Sequence, residues 1–110
     1  MNQGYEDPGP TPAEIEALEG PVVLEFGAPW CSYCRAAQPL LAAELAHHSR
    51  VRLIRVEDGR GRPLGRSFRV KLWPTFVFLN RGQETVRLVR PTDQHEIAQA
   101  LTQINGRDER

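Results

Sequence analysis

Two cysteines separated by two residues stand in the segment GAPWCSYCR, residues 27 to 35. This spacing serves three kinds of chemistry: half of a tetrahedral zinc site, a structural crosslink, or a reversible redox disulfide. If Cys31 begins a helix and Cys34 lies one turn inside it, the two side chains are neighbours on the helix surface and their sulfurs can reach bonding distance. The spacing therefore permits a reversible disulfide.

Position on that helix predicts different roles for the two thiols. Cys31 would lie where unpaired backbone N–H groups and the positive end of the helix dipole favour a thiolate. Cys34 would point inward and would lack most of this advantage. The sequence therefore predicts that Cys31 attacks a disulfide and that Cys34 then resolves the mixed disulfide.

Zinc is the main alternative, because two cysteines with this spacing supply half of a tetrahedral site. The site would still need two further ligands. His47 and His48 lie about 13 residues further along the same predicted helix, which is roughly 20 Å at 1.5 Å per residue. His95 is expected to begin another helix, and one histidine would still leave the site a ligand short. Redox chemistry is therefore favoured over zinc and over an inert crosslink, and no metal is expected.

Capping signals and hydrophobic periodicity predict the elements that position the pair. Thr11 and Glu14 form a capping box before a short helix that Gly20 ends. Pro39 lies within the helix that carries the cysteines and should kink it. The predicted helices lie near 12–19, 31–48, 66–70 and 94–104, and the predicted strands at 22–26, 51–57, 75–80 and 84–90.

This order predicts an α/β fold with a mixed sheet. Strands separated by a helix should pair in parallel through a right-handed crossover, and the last two strands should form an antiparallel hairpin. A cleft should open at the carboxyl end of the first strand, 22–26, where the chain enters the helix of the two cysteines. Glu25 is the anomaly of that strand, because a buried carboxylate is costly unless it is neutral or paired.

Length and composition predict one domain. The chain has 110 residues, a hydrophobic share of 40% and a formal net charge of zero. Residues 1–10 are polar and rich in glycine and proline, which predicts a flexible arm or at most a short edge strand, followed by a domain at 11–106 and a polar tail at 107–110. Zero net charge gives no general attraction to nucleic acid or membranes.

No segment of the sequence has the features of a targeting or membrane signal. The apolar runs are all far shorter than the roughly 20 residues that cross a bilayer, and the first residues lack both a basic region and an apolar stretch. The expected compartment is therefore the cytoplasm.

Two segments together resemble the thioredoxin family. They are VVLEFGAPWCSYCRAAQP and LWPTFVFL, with Pro74 lying 40 residues after Cys34. The resemblance covers nearly the whole chain from Thr11 onward. It implies a thioredoxin fold, with a central mixed sheet of about four to five strands covered by helices on both faces.

The resemblance also implies roles for individual residues. Trp30 matches a tryptophan that shields the thiols and forms part of the substrate surface. Pro74 matches a proline that the family carries in cis, which would aim the backbone of Trp73 at an extended peptide. Glu25 stands where thioredoxins have an aspartate beneath the second cysteine, so it is expected to relay a proton to and from Cys34.

Several positions depart from the family pattern. Ser32 and Tyr33 replace the usual Gly-Pro between the cysteines and should alter thiolate stability and redox potential. Gly27 stands where many relatives have a large aromatic residue, and Arg90 with the following proline replaces a glycine-containing loop. The predicted substrate groove is therefore charged and partly filled, and its expected residues are Trp30, Ser32, Tyr33, Trp73, Pro74 and Arg90.

The sequence thus predicts a monomeric thiol-disulfide oxidoreductase that acts on protein disulfides as a reductant, with its own disulfide as the only redox group. A thioredoxin-reductase-like flavoenzyme and glutathione are the candidate electron donors. A glutathione-linked enzyme or a disulfide isomerase is one alternative, and the glutathione site would need a cationic pocket beside Pro74 formed by Arg60 and Arg90. A thioredoxin-fold interaction module without turnover is the other.

Overall fold

A computed structural model of the chain describes residues 4–105. Four strands form one mixed sheet, and four helices pack against it. The elements in chain order are α1 (Pro12–Glu16), β1 (Pro21–Gly27), α2 (Ser32–Leu45), β2 (Arg52–Glu57), α3 (Pro63–Ser67), β3 (Thr75–Asn80), β4 (Gln83–Val89) and α4 (Gln94–Asn105).

The sheet has the strand order β2-β1-β3-β4. β1 pairs with β2 in parallel through the α2 crossover, and it pairs with β3 antiparallel on its other side. β3 and β4 form the predicted hairpin, which turns at Arg81 and Gly82, both with positive φ. The predicted mixed sheet with an antiparallel hairpin is confirmed.

Helices cover both faces of the sheet, so β1 is buried on both sides. Leu24 and Phe26 face the cluster that contains Ile15 of α1 and Leu64 of α3. Val23 faces the opposite cluster, which contains residues of α2 and α4. Because strand residues alternate between faces, Glu25 lies on the same face as Val23, beneath α2.

The largest differences between the predicted and the observed element ends are in three helices. α1 has the predicted capping box at Thr11 but ends at Glu16, and α2 ends at Leu45, before His48. α3 occupies Pro63–Ser67, three residues before its predicted start, because a proline with φ already near the helical value suits the first turn. No helix in the described part of the chain is long and apolar enough to cross a membrane.

The segment before α1 lies against β2. The N–H of Glu6 donates to the carbonyl of Arg55 at 2.7 Å, and the N–H of Glu57 donates to the carbonyl of Glu6 at 3.2 Å. This isolated parallel bridge covers the outer edge of β2, which would otherwise present unpaired backbone groups. Of the two expectations for residues 4–10, a frayed arm or a short edge strand, the bridge agrees with the second. Residues 1–3 and the predicted tail at 107–110 lie outside the described residues.

Candidate active site

The two cysteines occupy the opening turn of α2. Cys31 is the N-cap residue in extended conformation, and its Sγ accepts a hydrogen bond from the backbone N–H of Cys34 at 3.2 Å. Both thiols are free. The helix thus directs a backbone donor at the sulfur of Cys31, which is the arrangement that stabilises a thiolate.

The surroundings of the two sulfurs are unequal. Cys31 keeps 8% of its surface exposed, whereas Cys34 is fully buried. Burial, together with a hydrogen bond to the side chain of Cys31, raises the pKa of the Cys34 thiol to about 12. Cys34 therefore keeps its proton at neutral pH, while Cys31 meets both an N–H donor and the surface.

A groove with a volume of about 390 Å³ opens over Cys31. Five of the six predicted substrate residues line it, and the buried Pro74 lies behind them. The sequence analysis missed Lys71 and Leu72, although both precede the Trp-Pro pair that it singled out. The lining residues are Trp30, Cys31, Ser32, Tyr33, Lys71, Leu72, Trp73 and Arg90.

One wall of the groove consists of two tryptophans. The rings of Trp30 and Trp73 meet edge to face, with centroids 5.4 Å apart. The indole N–H of Trp73 donates to Oδ2 of Asp58 at 2.9 Å, which fixes that ring. The carboxylate of Asp58 therefore holds Trp73 in place. Trp30 is 68% exposed.

Arg90 links the two sides of the groove. Its guanidinium lies 4.1 Å from the centre of the Tyr33 ring, a cation–π contact. Its Nε donates to the carbonyl of Trp73 at 2.8 Å, and its backbone N–H donates to the carbonyl of Pro74 at 2.9 Å. The Trp73–Pro74 peptide bond is cis. The second cation of the groove is Lys71, where the sequence analysis expected Arg60.

Glu25 is a paired carboxylate beneath the thiols. It is fully buried, and its Oε1 accepts from Nε of Arg55 at 3.0 Å. Its Oε2 accepts from the side-chain amide of Gln38 at 2.9 Å. Arg55 stands directly opposite Glu25 in the parallel register of β1 and β2. Of the two states that the sequence left open, neutral or paired, the structure shows pairing.

Tyr5, which the sequence analysis assigned to the arm, reaches the same place. Its hydroxyl lies 3.5 Å from Oε2 of Glu25 and accepts from the amide of Gln38 at 2.9 Å. It also lies beside the thiol of Cys34. Burial, and then the negative charge of Glu25, raises the pKa of Tyr5 above its ordinary range. A single tyrosine in an otherwise polar segment was the one sequence signal for this contact.

Gly27 gives the tyrosine hydroxyl its space. A Cβ at this position would lie 2.5 Å from Sγ of Cys34 and 3.2 Å from the hydroxyl of Tyr5. The departure from the family pattern at residue 27 therefore has a local cause: the space that a side chain would need is already occupied.

Residues 4–105 contain no group of three or more histidine, cysteine, aspartate or glutamate side chains that could hold a metal ion.

Comparison with known proteins agrees with this geometry. The thioredoxin family model matches residues 12–103. The chain belongs to the thioredoxin family. Thioredoxin 2 from Pseudomonas aeruginosa PAO1, solved in its reduced form, is 47% identical, superposes with a TM-score of 0.86, and is matched over 96% of this chain and 98% of that chain.

Two curated thioredoxins are more distant relatives. A thioredoxin of Aspergillus fumigatus is 31% identical over 87 residues, which cover 79% of this chain and 81% of the relative. A thioredoxin of Haemophilus influenzae is 29% identical over 86 residues, which cover 76% and 78%. The thioredoxin fold and the family resemblance are confirmed, and membership of the thioredoxin family supports thiol-disulfide oxidoreductase activity.

Proposed function

We propose that this thioredoxin-family protein reduces disulfides in other proteins, with Cys31 as the attacking thiol and Cys34 as the resolving thiol. The observation that carries the proposal is the unequal setting of the two sulfurs. Cys31 accepts a backbone hydrogen bond beside an open groove, and Cys34 is fully buried with a raised pKa. Two thiols that react one after the other need this difference in burial and in pKa.

The reaction then has two displacements. The Cys31 thiolate attacks one sulfur of the substrate disulfide, forms a mixed disulfide, and releases the other substrate sulfur as a thiolate. Cys34 next attacks the Cys31 sulfur, which forms the internal disulfide and releases the second substrate sulfur. The substrate gains two electrons and the Cys31–Cys34 pair loses two, so no bound cofactor is needed.

Cys34 must lose its proton when it attacks. Glu25 is the proposed acceptor, and it returns the proton when the internal disulfide is reduced again. Its pairing with Arg55 and Gln38 holds the carboxylate at a fixed place beneath the helix.

The groove is the proposed binding site for an extended peptide next to the substrate disulfide. The exposed ring of Trp30 and the ring of Tyr33 offer apolar contact, and Ser32 and the backbone near Trp73 offer polar contact. In this proposal the protein works as a monomer in the cytoplasm, where thiols are kept reduced. A thioredoxin-reductase-like flavoenzyme is the proposed electron donor.

A glutathione-linked enzyme is the second candidate, and the two cations of the groove favour it. Lys71 and Arg90 line the cavity beside Trp73 and could bind carboxylates such as those of glutathione. Equilibration with glutathione buffers separates the roles: a reductant should have a potential near or below about −250 mV, whereas an isomerase or oxidase should lie near about −120 to −180 mV. Turnover that requires glutathione as electron donor would favour the second candidate.

The direct test is reduction of insulin by dithiothreitol. The wild type should accelerate the reaction, and Cys31→Ser should abolish the acceleration. Cys34→Ser should instead accumulate a mixed disulfide between Cys31 and insulin, visible by non-reducing electrophoresis. Equal activity of Cys31→Ser and wild type would overturn the proposal. Absence of turnover in the wild type would indicate a non-catalytic interaction module.

A further inference from the structure

The Tyr5 hydroxyl lies between the two groups that must exchange a proton. It donates to Oε2 of Glu25 at 3.5 Å and lies beside the thiol of Cys34. The closeness of the sulfur and the hydroxyl follows from Gly27, since a Cβ built there would lie 2.5 Å from the sulfur and 3.2 Å from the hydroxyl. Tyr5 therefore lies beside a reacting atom on one side and contacts the buried carboxylate on the other.

We propose that Tyr5 is a further catalytic residue, whose hydroxyl passes the proton between Cys34 and Glu25 during resolution of the mixed disulfide. This inference rests on the proposed function of the dithiol. It assigns a chemical role to the segment before α1, which lies outside the 12–103 range matched by the family model.

A count of donors shows why the tyrosine proton is the one that can move. The side-chain amide of Gln38 has two hydrogens, and it donates to the Tyr5 hydroxyl and to Oε2 of Glu25. Arg55 donates to Oε1 of Glu25. The hydroxyl of Tyr5 thus already accepts one bond, and its own hydrogen can point to Glu25 or to Cys34.

The proposed transfer moves two protons in one direction, from Cys34 to Tyr5 and from Tyr5 to Glu25. Before attack, the S–H of Cys34 donates to the Tyr5 oxygen, and the Tyr5 O–H donates to Oε2 of Glu25. As the Cys34 sulfur bonds to the Cys31 sulfur, its proton moves to Tyr5 and the Tyr5 proton moves to Glu25. The bond between Cys31 and the substrate breaks, and its electron pair leaves with the substrate sulfur. Tyr5 is neutral before and after the step.

The electrostatic surroundings favour a short relay. Burial raises the pKa of Cys34, and the Tyr5 hydroxyl opposes this effect by donating to the thiolate. The guanidinium of Arg55 lies 5.7 Å from the centre of the Tyr5 ring and pairs with Glu25. The ionisable groups that face the hydroxyl are thus Glu25, Arg55 and Cys34, with Cys31 one turn away. A transfer through Tyr5 leaves no charge on the sulfur or on the tyrosine, while Glu25 becomes neutral and the cation of Arg55 remains beside it.

The backbone holds Tyr5 in this position. Glu6, the next residue, makes two main-chain hydrogen bonds to β2. The ring is half-buried over Arg55. The bridge to β2 and this packing together fix the position of the hydroxyl.

The test is Tyr5→Phe, which keeps the ring and removes the hydroxyl. Rapid acid quenching and mass spectrometry would follow the mixed disulfide and the internal disulfide separately, with insulin as the substrate. Formation of the mixed disulfide by Cys31 should stay at the wild-type rate, and its resolution by Cys34 should slow at least about tenfold, since a positioned proton carrier contributes that much or more. The solvent deuterium isotope effect on resolution should also change. Glu6→Ala is the matched control, because the Glu6 bridge uses backbone atoms only.

The outcomes separate this inference from the proposed function. Wild-type resolution in Tyr5→Phe, with Glu25→Gln slow, would overturn the role of Tyr5 alone. Equal slowing of both steps in Tyr5→Phe, with lost protection of the Glu57 amide hydrogen from exchange, would assign the effect to undocking of the segment and would also overturn it. An insulin assay without wild-type turnover would instead overturn the proposed function itself.

Discussion

The two sides of the dithiol present opposite environments. The groove rim is exposed and combines aromatic rings with two cations; it comprises Trp30, Tyr33, Lys71, Leu72 and Arg90. The buried floor lies beneath the dithiol and is a connected polar network; it comprises Tyr5, Glu25, Cys34, Gln38 and Arg55. The dithiol therefore borders an exposed groove on one side and a polar network that is largely shielded from water on the other.

Substitutions on the two sides should therefore affect different properties of the protein. Substitutions at the rim alter contacts with a partner and remove few internal bonds, so they should change recognition at little cost in stability. Substitutions in the floor leave buried charges or hydrogen-bonding groups without partners, so they should lower stability and alter thiol chemistry together. Four measurements test this difference between the groove rim and the buried floor.

The largest contrast should be between the two thiols themselves. At neutral pH, iodoacetamide should modify Cys34 roughly a thousandfold more slowly than an ordinary thiol, and Cys31 far faster than Cys34, because burial raises the Cys34 pKa from 9.0 to about 12 and only the thiolate reacts. Peptide mass spectrometry after short exposure of the reduced protein gives both initial rates. As the pH rises toward 12, Cys34 should become reactive. Similar rates at neutral pH would show that the floor does not isolate the second sulfur.

The next contrast is between a buried and an exposed ion pair. Glu25→Ala should lower the free energy of unfolding by about 3 kcal/mol, because it leaves Arg55, whose side chain is 12% exposed, without its carboxylate. Glu84→Ala removes an exposed glutamate that is likewise bound to an arginine, Arg87, and should cost less than about 1 kcal/mol. Urea unfolding at neutral pH measures both. Equal losses would contradict the distinction between floor and surface.

A smaller effect should follow from filling the space beside Cys34. Gly27→Ala places a methyl group against Sγ of Cys34 and the Tyr5 hydroxyl, and such overpacking typically costs about 1–3 kcal/mol. Gly4→Ala is the control, because a Cβ there meets no atom within 4 Å. Urea unfolding of both variants gives the difference. A stability loss no larger than that of the control would show that the floor tolerates added volume at this point.

Local patterns predicted most of the fold and the outer part of the site. The capping box at Thr11, the hairpin and the Cys-X-X-Cys helix start all depend on residues close together in sequence, and each lies where the pattern placed it. The ends of helices were less well predicted, because α3 begins at Pro63 although the apolar pattern favoured a later turn.

The floor could not be predicted in the same way, since its partners come from distant segments. The pairing of Glu25 with Arg55 depends on the register between two strands, and the approach of Tyr5 depends on a single bridge to β2. Neither contact follows from the spacing of residues that are close together in the sequence. The sequence did show that a carboxylate in an apolar strand would be costly to bury. It did not show which residues would pair with that carboxylate.

The smallest effect on stability should come from the rim, at Arg90. Its backbone φ is +51°, a conformation that glycine adopts without strain and alanine does not, so two variants separate side chain from backbone. Arg90→Gly and Arg90→Ala both lose the cation over Tyr33 and the bond to the Trp73 carbonyl, and both should raise KM for insulin about threefold with kcat unchanged.

The two Arg90 variants should differ only in folding. Arg90→Ala should be less stable than Arg90→Gly by about 1 kcal/mol, because alanine retains the strained backbone without the compensating contacts. Steady-state insulin reduction and urea unfolding on the same preparations measure the two quantities. A KM that rises in Arg90→Ala alone would place the effect in the backbone of the cis-proline loop. An unchanged KM in both would mean that the rim cation does not contribute to recognition, and the selectivity of the groove would then depend on its aromatic rings.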